Sequence, residues 1–177
     1  MKGRALKFGD GISTDHIIPG RYFHLRSNLP ELAKHAMEGI DPAFTSRVHP
    51  GDFLVAGKNF GLGSSREHAA LVLKLSGVGA VLAESVARIF YRNAVNIGLP
   101  VLILDTREIA DGDELEVDLG GGRVRDLTRG LELSFSPLPP VMLKILECGG
   151  LVPYIKKYRR FEVENSPQKF FEFLGTP

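Results

Sequence analysis

Short apolar blocks with two different periods run along this chain, and their order predicts an α/β domain. Residues 4–8 read as a short strand, closed by the polar turn Gly9-Asp10-Gly11. Residues 12–18 are mixed and read as extended up to the turn pair Pro19-Gly20. A loop bearing Arg21, Tyr22, His24 and Arg26 follows. Residues 29–37 read as a helix, with Pro30 in the first turn and Gly39 as its stop.

The middle of the chain alternates. A strand over 52–56 leads to a helix over 65–76, a strand over 80–83, a helix over 85–96 and a strand over 100–104. In the first helix Ala69, Leu73 and Ser76 share one side, and Ala70, Leu71 and Leu75 broaden the apolar face. The second turns Val86, Ile89, Phe90, Ala94 and Ile97 inward and Arg88 and Arg92 outward. Strand–helix–strand at this spacing implies parallel strands with helices packed on them.

After Asp105 the period changes to two. Residues 114–119 alternate, meet the turn Gly120-Gly121-Gly122 and return over 123–127, with a third strand over 131–135. A helix over 138–148 breaks at Gly149-Gly150 before a last short helix over 151–158. Residues 1–160 therefore read as one domain. Residues 161–177 form a polar tail whose cluster of Phe170, Phe171, Phe173 and Leu174 is expected to dock on the body or on a partner.

Composition narrows the function. With 177 residues, 44% hydrophobic and 24% charged, the chain fits an ordinary globular domain with a core of its own. A net charge of +1 gives no general attraction to nucleic acid or to an anionic membrane. No apolar run approaches the roughly 18–20 residues that span a bilayer, and no signal-type apolar core follows the basic start, so the expected location is the cytoplasm. The lone Cys148 excludes an internal disulfide and a multi-cysteine metal or iron–sulfur site, and reads as a buried filler near a helix end.

The densest chemistry is Gly61-Leu62-Gly63-Ser64-Ser65-Arg66-Glu67-His68, a glycine loop between a strand and a helix. Free N–H groups and partial positive charge at a helix start favour a carboxylate or phosphate there. Ser64-x-x-Glu67 is also a capping box, which alone would explain those two residues. It leaves Arg66 unexplained, because a cation in the first turn opposes the helix dipole unless an anion is bound. Arg66 can grip a carboxylate with two parallel hydrogen bonds, Ser65 can add a third, and Ser64 or Ser65 can act as a base. The glycine spacing matches neither a phosphate-binding loop nor a dinucleotide fingerprint. Ser13-Thr14-Asp15-His16 is a second polar cluster, readable as a simple turn, and Asp15 and His16 make a poor metal pair in an extended segment. Arg26 reads as a surface charge unless its loop reaches Arg66.

Together, Ser13–Gly20, the segment Gly57-Lys58-Asn59-Phe60-Gly61-Leu62-Gly63-Ser64-Ser65-Arg66-Glu67-His68 and Ala87-Arg88-Ile89-Phe90-Tyr91-Arg92-Asn93 resemble the small subunit of 3-isopropylmalate dehydratase and homoaconitase. That subunit is equivalent to the swivelling C-terminal domain of aconitase. The resemblance covers residues 1 to about 160 in order. It implies an aconitase-type swivelling β/β/α domain, with parallel strands, flanking helices and a C-terminal β-hairpin region. It also implies a hydro-lyase that removes and re-adds water on a small di- or tricarboxylic 2-hydroxy acid. A large subunit would hold a [4Fe–4S] cluster on three cysteines, with one iron open to substrate, and this chain would bind none.

By motif position the resemblance makes Ser64 the catalytic base, Ser65 and Arg66 ligands of the substrate carboxylate, and Asp15 an acidic active-site residue. Arg26 falls near a substrate-binding arginine, although the intervening loop is one residue shorter. Ile18 stands where aconitase has a serine. The loop after Pro19-Gly20 is implied to face the variable end of the substrate: Tyr22, Phe23 and Leu25 suit an isopropyl group, while Arg26 suits an extra carboxylate. Three readings follow: a 3-isopropylmalate dehydratase small subunit, a homoaconitase small subunit, or a stand-alone anion- or nucleotide-binding module.

Overall fold

Four consecutive apolar residues with no polar alternation make a strand buried on both faces. Phe53–Ala56 and Ala80–Ala83 are such blocks, and each is buried at every position. They lie at the centre of the computed structural model, which describes residues 1–64 and 66–159. The strands are β1 (Lys2–Lys7), β2 (Phe53–Ala56), β3 (Ala80–Ala83), β4 (Val101–Ile103), β5 (Glu114–Asp118), β6 (Arg123–Asp126) and β7 (Leu131–Ser134). The helices are α1 (Thr14–Ile17), α2 (Leu29–Ala33), α3 (Phe44–Arg47), α4 (Glu67–Leu75), α5 (Arg88–Asn96), α6 (Pro140–Glu147) and α7 (Leu151–Tyr158), with a 3-10 turn over Gly20–Leu25.

The sheet has seven strands in the order β4-β3-β2-β1-β5-β6-β7. β1 divides its length between two partners. Ala5, Leu6 and Lys7 run parallel to Phe53, Leu54 and Val55, whereas Lys2, Gly3 and Arg4 run antiparallel to Glu116, Leu115 and Glu114. One half of the sheet is therefore parallel, through β2, β3 and β4, and the other is an antiparallel meander through β5, β6 and β7. The meander alternates as the period-two sequence requires, with Leu115, Val117 and Val124 buried between exposed or half-exposed polar neighbours.

Helices α4 and α5 pack on the parallel half. Their inward residues are Ala69, Ala70, Val72 and Leu73 on α4 and Phe90, Tyr91, Ala94 and Val95 on α5. Phe60, fully buried in the loop after β2, meets Phe90 edge to face at 5.1 Å and 85°. Two expected inward residues point the other way: Leu75 and Ile89 are about half exposed. Each lies in the first or last turn of its helix, where periodicity alone misplaced it. Arg88 and Arg92 are exposed as expected.

Residues 14–17 are helical, not extended. Ser13 caps α1: its hydroxyl accepts from the His16 N–H at 3.2 Å, and His16 Nδ1 accepts from the Ser13 N–H at 3.2 Å. The helix expected over 29–37 unwinds after Ala33, because Met37 takes φ 59° and donates its N–H to Ile17 O at 2.7 Å. Helix α3 carried no sequence expectation. The domain boundary expected at residue 160 and the docking expected of residues 161–177 lie outside the described residues. Among those described, no helix is long and apolar enough to cross a membrane.

A polar cluster fastens the 3-10 turn to the segment after α2. Glu38 accepts from the Tyr22 hydroxyl at 2.7 Å, from Arg21 at 3.0 Å and from His35 Nδ1 at 2.7 Å. These donors, the Tyr22 hydroxyl foremost, hold the Glu38 carboxyl at about 2. A depressed carboxylate contributes stability above its unfolded value of 4.5 and loses that contribution as pH falls through the folded value. The stability advantage of the wild-type chain over Glu38→Gln is therefore expected to shrink between pH 4.5 and pH of about 2, as urea denaturation across that range will read.

Candidate functional site

Parallel strands deliver their following loops to one end of a sheet, and that end is where open α/β sheets bind ligands. Here the loops after β1, β2 and β3 meet, and backbone bonds lock them. Gly11 N–H donates to Lys58 O at 2.8 Å, Gly61 N–H to Ile12 O at 2.7 Å and Thr14 N–H to Leu62 O at 2.7 Å. On the other side Phe60 N–H donates to Ser85 O at 2.9 Å and Ala87 N–H to Phe60 O at 2.8 Å. The glycine loop is thus a short extra strand between two neighbours, bridged at Ser13–Leu62 and Phe60–Val86.

Two of its glycines are required by contact. A Cβ on Gly61, at φ +75°, would sit 2.4 Å from the Phe90 ring, and one on Gly63, at φ +109°, would sit 2.9 Å from Thr14 Oγ1. The first lets the loop lie on α5; the second lets it lie against α1.

The loop ends at the start of α4. Arg66 occupies the N-cap position with an extended backbone and no capping side chain, and its N–H donates to Ser64 O at 2.8 Å. The capping box expected of Ser64 and Glu67 does not form, because the helix begins two residues later than the sequence pattern placed it. The Ser64 hydroxyl is consequently not tied to the helix. It is exposed and stands 3.5 Å from the hydroxyl of buried Thr14, at the outer limit of a hydrogen bond. Glu67 lies in the first turn of α4, where its charge complements the helix dipole.

Arg66 faces α1. Its Nη1 donates to Asp15 Oδ1 at 2.6 Å and to Ile18 O at 3.3 Å. Asp15 is 58% exposed at the side chain and Arg66 26%. A pair that wet contributes about 0–1 kcal/mol, so an incoming carboxylate can compete for the guanidinium. Gly20 lies against the pair: a Cβ there would be 3.8 Å from Arg66 and 3.9 Å from Asp15.

Beside Arg66 a small concavity is lined by Ile18, Pro19, Phe23, Leu32, Arg66 and His68. The Phe23 ring, 46% exposed, meets His68 edge-on at 6.2 Å, and the exposed Arg26 guanidinium lies over that ring at 4.9 Å from its centre. Of the residues singled out in the sequence, Ser64, Arg66 and Asp15 stand together. Among the described residues Arg26 is joined to them through Phe23 and His68, and Ser65 lies outside the described residues. Sequence reasoning passed over Thr14, His68 and the Ile18 carbonyl. His68, two residues past Arg66 at the start of a helix, was the one with a usable signal.

Among the described residues the donor set does not fit a metal cluster. Among the described residues no three His, Cys, Asp or Glu side chains are grouped to hold a metal ion, and Cys148 is a half-buried cap at the far end of α6.

Residues 11–106 match the family described as Aconitase C-terminal domain, a span that covers more than half of the chain and contains every residue of this site. The chain belongs to that family. This aconitase-type domain is 68% identical over 158 residues to 3-isopropylmalate dehydratase small subunit 2 of Archaeoglobus fulgidus, covering 89% of this chain and 96% of that one. It is 54% identical over 157 residues to the methanogen homoaconitase small subunit of Methanothermobacter thermautotrophicus, covering 89% and 91%. The solved structure of 3-isopropylmalate dehydratase from Methanocaldococcus jannaschii superposes with a TM-score of 0.84 at 48% identity, over 89% of this chain and 94% of that one. The aconitase-type fold and the seven-stranded mixed sheet are thus one architecture.

The close approach of the glycine loop to α5 is testable. Gly61→Ala is expected to cost about 2–4 kcal/mol, from left-handed strain plus overpacking against Phe90. Gly112→Ala, also at positive φ but with nothing within 4 Å, should cost only the strain, about 1 kcal/mol. Urea denaturation of the two variants separates the contributions.

Proposed function

We propose that this chain is the small subunit of a two-subunit hydro-lyase that interconverts 2-isopropylmalate and 3-isopropylmalate by removing and re-adding water. The observation that carries the reading is the geometry at the start of α4. Among the described residues one guanidinium is held by an exposed carboxylate and a carbonyl, next to a serine hydroxyl that does not cap the helix. The 68% identity to a 3-isopropylmalate dehydratase small subunit supports the same conclusion. A large subunit would carry the [4Fe–4S] cluster, since this chain has a single cysteine, and the completed site would lie between the two subunits, in the cytoplasm.

In this reading Arg66 binds a substrate carboxylate with both guanidinium nitrogens, and Ser65 donates to the same group. Ser64 Oγ takes the proton from the carbon beside that carboxylate. Negative charge then grows on the carboxylate, where Arg66 and the N–H groups opening α4 stabilise it more in the transition state than in the ground state. The same positive environment favours the deprotonated form of Ser64, and Thr14 can donate to it. Asp15 orients the guanidinium until substrate arrives. Neither nucleic acid nor membrane has a role.

The apolar side chains around the shallow concavity beside Arg66 favour an isopropyl group in a site that the large subunit would complete. Ile18, Pro19, Phe23 and Leu32 are apolar, and Arg26 is exposed over Phe23. A second reading, a homoaconitase small subunit acting on a tricarboxylate, is favoured by Arg26 itself, one ring removed from that lining.

Reconstitution with a cluster-loaded large subunit, followed through the ultraviolet absorbance of the dehydrated intermediate, is the test, with isopropylmalate, homoaconitate and citrate compared. Arg66→Lys is expected to lose about 100-fold or more in kcat/KM while folding normally, because a point charge cannot replace the planar fork. Ser64→Ala is expected to lose about 100- to 10,000-fold in kcat. Near-normal turnover of either variant counts against the assignment. Micromolar nucleotide binding by the chain alone, read by calorimetry, would point to a stand-alone module instead.

A further inference from the structure

The 3-10 turn over Gly20–Leu25 carries Phe23, and Arg26 follows directly, so this turn decides what stands beside Arg66. None of its residues is fully buried, and only Tyr22 and Leu25 pack in part against the core. Outside its own 3-10 ladder its backbone bonds are Tyr22 N–H to Pro19 O, Arg26 N–H to Phe23 O and Asn28 N–H to Leu25 O, all local. The side-chain hydrogen bonds that tie it to the segment after α2 converge on one carboxylate. Glu38 Oε1 accepts from both the Tyr22 hydroxyl and the Arg21 guanidinium, and Oε2 accepts from His35. The Tyr22 ring lies flat on the His35 ring at 3.8 Å and 11°, and the Arg21 guanidinium covers Tyr22 at 4.8 Å.

The carboxylate is itself well placed. The neighbours of Glu38 both touch α1 or its end: Met37 N–H donates to Ile17 O, and Gly39 packs so closely that a Cβ would lie 3.2 Å from His16 O. α1 also carries Asp15, the partner of Arg66. A continuous path therefore runs from the Asp15–Arg66 pair through α1 to Glu38, then through Tyr22 and Arg21 to Phe23 and Arg26.

We propose that Glu38 is a positioning residue for substrate choice, setting where the Phe23 ring and the Arg26 guanidinium stand against the concavity beside Arg66. This rests on the hydro-lyase reading above. The depressed pKa of Glu38 agrees with a permanently charged clamp. The amide in Glu38→Gln keeps the oxygen that accepts from Tyr22 and Arg21, so that variant should preserve most of the geometry, whereas Glu38→Ala removes it.

The test is steady-state kinetics of the reconstituted two-subunit enzyme on isopropylmalate and homoaconitate. Glu38→Ala and Tyr22→Phe are expected to raise KM for isopropylmalate about tenfold, with kcat within about threefold, and to shift the kcat/KM ratio between the two substrates about tenfold. Glu38→Gln should restore most of both. An unchanged ratio, or an equal fall of kcat on both substrates with KM constant, overturns the proposal. Hydrogen exchange on the full chain gives a readout independent of turnover. In Glu38→Ala the amides of Tyr22, Arg26 and Asn28 should exchange about tenfold faster while those of β2 do not change. Should the wild-type pair act on neither acid, the hydro-lyase reading fails, and unchanged exchange in Glu38→Ala would sink the clamp separately.

Discussion

Everything at the candidate site depends on the parallel pairing of β1 with β2. Leu6 beside Leu54 sets the register, and the following loops continue it as backbone bonds from Gly11 to Lys58, from Gly61 to Ile12 and from Thr14 to Leu62. Groups some fifty residues apart in the chain, Asp15 and Arg66, thereby come within hydrogen-bonding distance. A register slip of one residue would turn every inward side chain of the strand to the other face. Because β2 is apolar throughout, its own pattern does not oppose such a slip, and the loop bonds are what hold the register.

The site is built in two layers of different stiffness. Main-chain bonds and fully buried aromatics such as Phe60 and Phe90 hold the glycine loop, so Ser64 and the start of α4 sit on a rigid frame. Half-buried polar side chains hold the 3-10 turn instead. Elements fastened that way open at low free energy, which suits a surface that must admit a ligand and meet a partner. In the function proposed above, chemistry falls to the stiff layer and selectivity to the soft one.

The elements that were easiest to read in the sequence are those with one dominant cause. β2 and β3 are uninterrupted apolar runs, the meander has a clean period of two, and α7 begins at a double glycine and ends where its pattern stops. Elements governed by distant partners were harder. α1 is capped by Ser13 with His16 in the place a glutamate usually takes, a pairing that propensity does not flag. The start of α4 at Arg66 instead of Ser64 follows from the glycine loop lying between two neighbouring segments, which no local pattern records. The roles of Ser64, Arg66 and Asp15 came from motif resemblance, and their convergence follows from topology. Glu38 carried no signal at all, because its three donors come from two segments whose approach only the folded chain reveals.

The Asp15–Arg66 contact has a consequence for how the empty protein meets its surroundings. A carboxylate tethered to the same scaffold keeps the guanidinium turned toward the site at little cost in affinity, about fivefold at most for a pair worth about 0–1 kcal/mol. Sulfate, phosphate or acetate can displace it, and an acid that also reaches the neighbouring hydroxyls gains further contacts in doing so. The pair therefore holds the fork cocked without barring the guest.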